Sequence, residues 1–147
     1  MNQTLNDSGY GNFIMRLVGI AVRAFRYLWA LPWSLAGLMA ALVAVLFGAT
    51  VRIGNGTLEV SGGRRGEWAS RLPVSDQICA ITLGHVILGI DPVMLSSCRA
   101  HESVHVRQYE RWGILFIPLY FGSSIVQLLN GRDPYLDNRF EREAHSQ

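Results

Sequence analysis

Residues 28–49 (LWALPWSLAGLMAALVAVLFGA) run for 22 positions without a charged side chain. At 1.5 Å per residue, a helix of that length covers roughly 33 Å, enough for the roughly 30 Å hydrocarbon layer of a bilayer. The stretch exceeds the ~7–15 residues of a signal-peptide core, and no A-x-A site follows it, so an uncleaved transmembrane helix over 28–49 is expected. Trp29 and Trp33 suit the lipid–water interface, and Pro32 would fall in the first turn, where a missing N–H costs little. Composition agrees with membrane contact: 50% of the residues are hydrophobic and 16% are charged, against about 25% charged in a soluble domain. The net charge of +2 is too small to point to nucleic acid.

Residues 1–12 are polar and rich in Gly and Asn, a composition expected to be disordered. Over 13–27 the pattern turns amphipathic: Ile14, Leu17, Val18, Ala21 and Phe25 share a helical face, opposite Arg16, Arg23 and Arg26. Residues 1–27 thus read as a tail and a basic juxtamembrane helix able to lie on anionic headgroups. Charge does not fix the orientation. Arg16, Arg23 and Arg26 precede the apolar run, and Arg52, Arg64 and Arg65 follow it.

The remaining residues, 50–147, are expected to form one small α+β domain. Val51 and Ile53, an Asn-Gly turn, then Leu58 and Val60 predict a β-hairpin. Residues 63–76 read as a polar loop, and 81–90 (ITLGHVILGI) as an apolar strand. Asp91-Pro92 predicts a helix opening, with Asp as N-cap and Pro in the first turn, and Gly113 predicts its stop. A second apolar run, 114–129, is short for a span, and a short helix over 138–145 closes the chain. Cys79 and Cys98 are too few for a disulfide framework, and the sequence leaves open whether they pair.

Inside the helix from Pro92 stands His101-Glu102-Ser103-Val104-His105. Histidines at i and i+4 sit one turn apart on one face, so His101 and His105 can converge on a single zinc ion. Glu102 follows the first ligand directly, where a carboxylate can act as general base on a water that the metal acidifies. A metzincin continuation would need Gly at 108 and His at 111, where this chain has Gln108 and Arg111.

The tail supplies Asn138-Arg139-Phe140-Glu141-Arg142-Glu143-Ala144. With that segment the sequence resembles the gluzincins, including membrane peptidases that process prenylated proteins and their bacterial relatives. The resemblance covers the two motifs and a strand-before-helix order. It implies zinc held by His101, His105 and Glu141, Glu102 as general base, and a zincin-like domain resting on the membrane, in a bacterial cell membrane. The family's Asp after the Ala motif is replaced, with His145 next in the chain. Glu143 and Asp137 compete for the ligand role, but Glu141 borders the face made by Phe140 and Ala144, whereas Glu143 is rotated away.

Other residues carry weaker readings. Gln108 shares the His101 face, and Cys98 lies three residues before His101. His85 lies in the apolar strand that would bind an extended peptide. Tyr109, Tyr135 and Arg107 are candidate transition-state donors, and 109–112 (YERW) is expected at an interface. His105 and Glu141 must meet at one ion, so 114–129 is expected not to cross the bilayer. The expected function is peptide-bond hydrolysis on peptides or membrane-proximal proteins. The alternative is a zinc-binding membrane protein without turnover, a scaffold or pseudoenzyme.

Overall fold

The computed structural model describes residues 4–63 and 79–146. The loop expected over 63–76, with Arg64 and Arg65, lies outside the described residues except for Gly63. The chain is α+β: the described residues form an N-terminal apolar helix, a four-stranded sheet and three further α-helices.

Helix α1 (Thr4–Leu46) is continuous over 43 residues. It takes in residues 4–12 of the tail expected to be disordered, the amphipathic stretch and most of the apolar run. Once a helix exists, each added residue gains a bond without a new nucleus, so the polar start extends it. Pro32 therefore lies in the helix interior and not in a first turn. The helix ends at a turn through Gly48, whose φ of 87° favours glycine.

Strands β1 (Thr50–Gly54) and β2 (Thr57–Ser61) form the expected hairpin, with Gly54 opposite Thr57. Asn55 and Gly56 have φ of 52° and 79°, the two positive values that a type I′ turn needs. The apolar run 81–90 is not one strand. It folds into β3 (Ala80–Leu83) and β4 (Val86–Gly89), antiparallel, with His85 in the turn between them. Gly84, with φ 61°, reverses the chain in the middle of the apolar run. Strand β4 pairs in parallel with β2, giving the order β1-β2-β4-β3, so β3 is an edge among the described residues.

Helix α2 (Pro92–Trp112) begins and ends where the sequence placed it. Asp91 Oδ1 accepts from the Val93 and Met94 amides at 2.7 and 2.9 Å. A 3₁₀ turn (Gly113–Leu115) leads to helix α3 (Phe116–Leu129) and then to helix α4 (Arg139–His145), capped by Asn138.

Two stretches, Gly11–Leu46 and Pro92–Leu129, are long and apolar enough to cross a membrane by length and composition. The second turns at Gly113, leaving α3 with 14 residues, roughly 21 Å. That is shorter than the hydrocarbon layer. The first is not an isolated helix. Ala30, Ser34, Gly37 and Ala41 recur at helical spacing and are buried, a stripe of small side chains that lets α1 approach the domain closely. Trp29 lies against Gly113, Ser34 against Gly84, and Gly37 against the β3–β4 hairpin. A Cβ at Gly37 would come within 2.7 Å of Val86 Cβ and 2.8 Å of the Leu83 carbonyl. A Cβ at Gly19 meets nothing within 4 Å. Gly37→Leu should therefore cost about 1–3 kcal/mol by overpacking, whereas Gly19→Leu should be neutral. Thermal unfolding in detergent measures both, and equal stability of the two variants would contradict this docking.

Candidate metal centre

Helix α2 carries the two histidines one turn apart, and their Nε2 atoms lie 3.0 Å from each other. Helix α4 brings the third group. Glu141 Oε2 is 3.1 Å from His101 Nε2, and its Oε1 is 3.5 Å from His105 Nε2. Donors placed 2.0–2.1 Å from one ion at tetrahedral angles stand about 3.3–3.4 Å apart, so the three groups have the spacing of one metal's donor set.

The tautomer of His105 follows from its neighbours. Gln108 Nε2 donates to the Phe140 carbonyl and to Glu143 Oε2, both at 3.0 Å. That orientation turns Gln108 Oε1 to His105 Nδ1 at 2.8 Å. A carbonyl oxygen only accepts, so the proton sits on Nδ1, and the Nε2 lone pair faces the centre. Metal-ligating histidines are oriented in this way. Gln108 thus supports the site and is also packed in the interior at 1% exposure.

Glu141 is buried, with 3% exposure. Its Oε1 accepts from the Tyr120 hydroxyl at 2.6 Å. Its Oε2 lies near His101 but off any hydrogen-bonding line and has no donor. Burial by itself would raise the Glu141 pKa. The two imidazoles and Tyr120 outweigh it and hold the carboxyl well below its usual range. The ionised form is therefore the one the fold favours, and this contribution is lost as acid drives the group through its lowered pKa. A buried, ionised carboxylate with an unserved oxygen beside two imidazole nitrogens suits a cation.

The competing carboxylates are elsewhere. Glu143 faces Gln108 and Arg111, and Asp137 accepts from the Asp133 amide. His145, one turn after Glu141, was read only in place of the family's Asp. It reaches the site: donor atoms of His101, Glu141 and His145 all lie within 4.8 Å of one another. Unlike the other three groups it is exposed. The i, i+4 spacing of Glu141 and His145 was the signal available in the sequence.

Glu102 is 4% exposed, and its Oε2 accepts from the Thr82 hydroxyl at 2.6 Å. A cavity of about 470 Å³ is lined jointly by Glu102, His101, His105, Glu141 and strand β3. Tyr135 also lines it, as does Tyr109, whose hydroxyl donates to the Thr82 carbonyl. Tyr109 is fully buried with Ala30, Phe116 and Phe140, so it is a core residue and not an interfacial anchor. Arg107 is exposed. His85 is away from the cavity. Its Nδ1 is 3.1 Å from Ser34 Oγ, and its ring stacks on Tyr27 at 4.1 Å, joining α1 to the sheet. Tyr120 was not legible in the sequence, because nothing local marks which aromatic of an apolar run will meet a carboxylate.

Compared with protein-family models, curated proteins and solved structures, the chain matches none. The residues themselves generate a test. Gln108→Met keeps the volume but removes the acceptor at His105 Nδ1, so affinity for a divalent cation should fall about 10–100-fold. Competition with a chelator reads this, and an unchanged affinity would show that Gln108 only packs.

Proposed function

We propose that this chain is a membrane-associated, zinc-dependent peptidase of gluzincin type. His101, His105 and Glu141 hold the metal, and Glu102 acts as general base. The observation that carries the reading is the mutual spacing of the three groups, with donor atoms 3.0–3.5 Å apart in pairs and one Glu141 oxygen that lacks a donor. Two imidazoles and a carboxylate are a donor set suited to catalytic zinc, which keeps a fourth position open. Zinc, when bound, supplies Lewis acidity that polarises a carbonyl and brings the pKa of a water towards about 7.

The chain's own residues do the rest. Thr82 fixes one oxygen of Glu102, which orients the carboxylate that accepts the proton and later returns it to the leaving amine. Strand β3 gives the substrate a backbone to pair with. Leu83 and Val86 flank a two-residue turn, and the Ile90 amide bonds the Cys79 carbonyl, so the residues between alternate inward and outward. Ala80 and Thr82 then direct their peptide groups to the free edge. The Thr82 carbonyl is taken by Tyr109, and an extended peptide would pair with the remaining outward groups along the cavity wall.

Membrane association rests on the exposed apolar sides of α1 and α3, including Leu31, Leu38, Phe121, Ile125 and Leu129. An open sheet edge does not lie in hydrocarbon. The Tyr27 hydroxyl donates to the Gly56 carbonyl, so the β1–β2 hairpin runs back beside the apolar part of α1. Lipid then meets α1 on its outer side only, and α2 and α4 stay on one side of the bilayer.

A second reading has its own observation. His145 can fill the fourth position, and a closed four-ligand centre is structural. Two variants separate the readings. For the peptidase, Glu102→Gln should retain zinc while hydrolysis of a peptide library falls about 100-fold or more. For the closed centre, wild type and Glu102→Gln are equally inert, and His145→Ala weakens zinc binding.

A further inference from the structure

We propose that Cys79, Cys98 and Glu102 form a second cation site, for a thiophilic divalent ion such as Zn²⁺ or Cd²⁺, next to the histidine centre. The two sulfurs and a carboxylate oxygen of Glu102 all lie within 4.8 Å of one another. Both thiols are free and half-buried. Cys98 and Glu102 repeat on α2 the i, i+4 spacing of His101 and His105, three residues earlier and therefore on a neighbouring face. Cys79 comes from a different element, just before β3, where its carbonyl accepts from the Ile90 amide at 3.2 Å. The third leg is thus held by the sheet.

The chemistry fits a borderline-soft ion. Thiolates bind at about 2.3 Å and a carboxylate at about 2.0–2.2 Å, so small side-chain rotations that bring the sulfurs to about 3.7 Å apart complete three positions. The fourth faces the cavity that these residues line. Each thiol releases its proton to solvent as its bond to the ion forms, and no oxidant or reductant takes part. Burial first, and then Cys79 and Glu102, raise the Cys98 pKa. Without an ion the Cys98 thiol is therefore protonated and a poor nucleophile.

Glu102 belongs to both centres. An ion held by the cysteines engages the carboxylate that would otherwise accept a proton, so filling the second site switches off the first. That consequence rests on the peptidase reading, but the site does not.

The test is titration of the full-length, reduced protein with Co²⁺, followed by the thiolate-to-cobalt charge-transfer absorption in the near ultraviolet. A centre of histidine and carboxylate lacks this absorption. The expected result is a charge-transfer band that persists in His101→Ala/His105→Ala and disappears in Cys79→Ser and in Cys98→Ser. Glu102→Gln should keep the band but need at least about tenfold more Co²⁺ to fill it. No band in a protein whose two thiols both react with a thiol reagent would overturn the proposal. So would two unreactive, disulfide-bonded cysteines, or a band lost with the histidines, which would make Cys98 a ligand of the first centre. An absence of peptidase activity would remove only the switching consequence, since the band is read without substrate.

Discussion

The site depends on a helix too short to stand alone. Helix α4 has seven residues, and isolated helices below about 12–15 residues are marginal in water. Glu141 therefore reaches the histidines only because tertiary contacts hold α4 against α2. Gln108 is the centre of that contact. One amide bonds His105, the Phe140 carbonyl and Glu143, so the group that sets the His105 tautomer also docks the helix bearing Glu141. Phe140 packs with Tyr109 and Phe116, and burying a side chain of that size contributes about 1.5–3 kcal/mol. At the other end Asn138 caps α4 and donates to the Tyr120 carbonyl and the Ser124 hydroxyl. Tyr120 in turn donates to Glu141. His105, Glu141, the aromatic core and the cap form one connected structure.

The same economy appears in α1. Its small-residue face lies on the sheet hairpins and on the corner at Gly113, where the Trp33 indole donates to the Ile114 carbonyl at 3.1 Å. Arg26 pairs with Glu110, and His85 lies between Glu110 and Ser34. The apolar helix is therefore part of the wall that fixes β3 and the α2–α3 corner. Its other face, with Leu31, Leu35 and Leu38, is exposed.

Features encoded by neighbours in the chain were legible. The Asn-Gly turn, the Asp91 cap, the Gly113 stop and the histidine pair each need only a few adjacent residues, and each forms where the sequence put it. The choice of Glu141 over Glu143 followed from helical spacing beside Phe140 and Ala144. Hydropathy misled where it was uniform. Within 28–49 every position is apolar or small, so the docking stripe at Ala30, Ser34, Gly37 and Ala41 was hidden. In 81–90 a Gly inside an apolar run was a turn, not a strand position. Tyr120 depends on how α3 folds back, which no local pattern states, whereas His145 follows Glu141 at i, i+4 on one helix.

The metal centre proposed for His101, His105 and Glu141 underlies every functional reading of the fold. Zinc K-edge X-ray absorption tests it most directly, on protein carrying Cys79→Ser and Cys98→Ser and loaded with one equivalent of zinc. The expected spectrum is a first shell of nitrogen and oxygen only, at about 2.0–2.1 Å, with the outer-shell scattering of imidazole, lost when His101 and His105 are replaced by alanine. Zinc that does not bind stoichiometrically, or an unchanged spectrum after both histidines are removed, would contradict it.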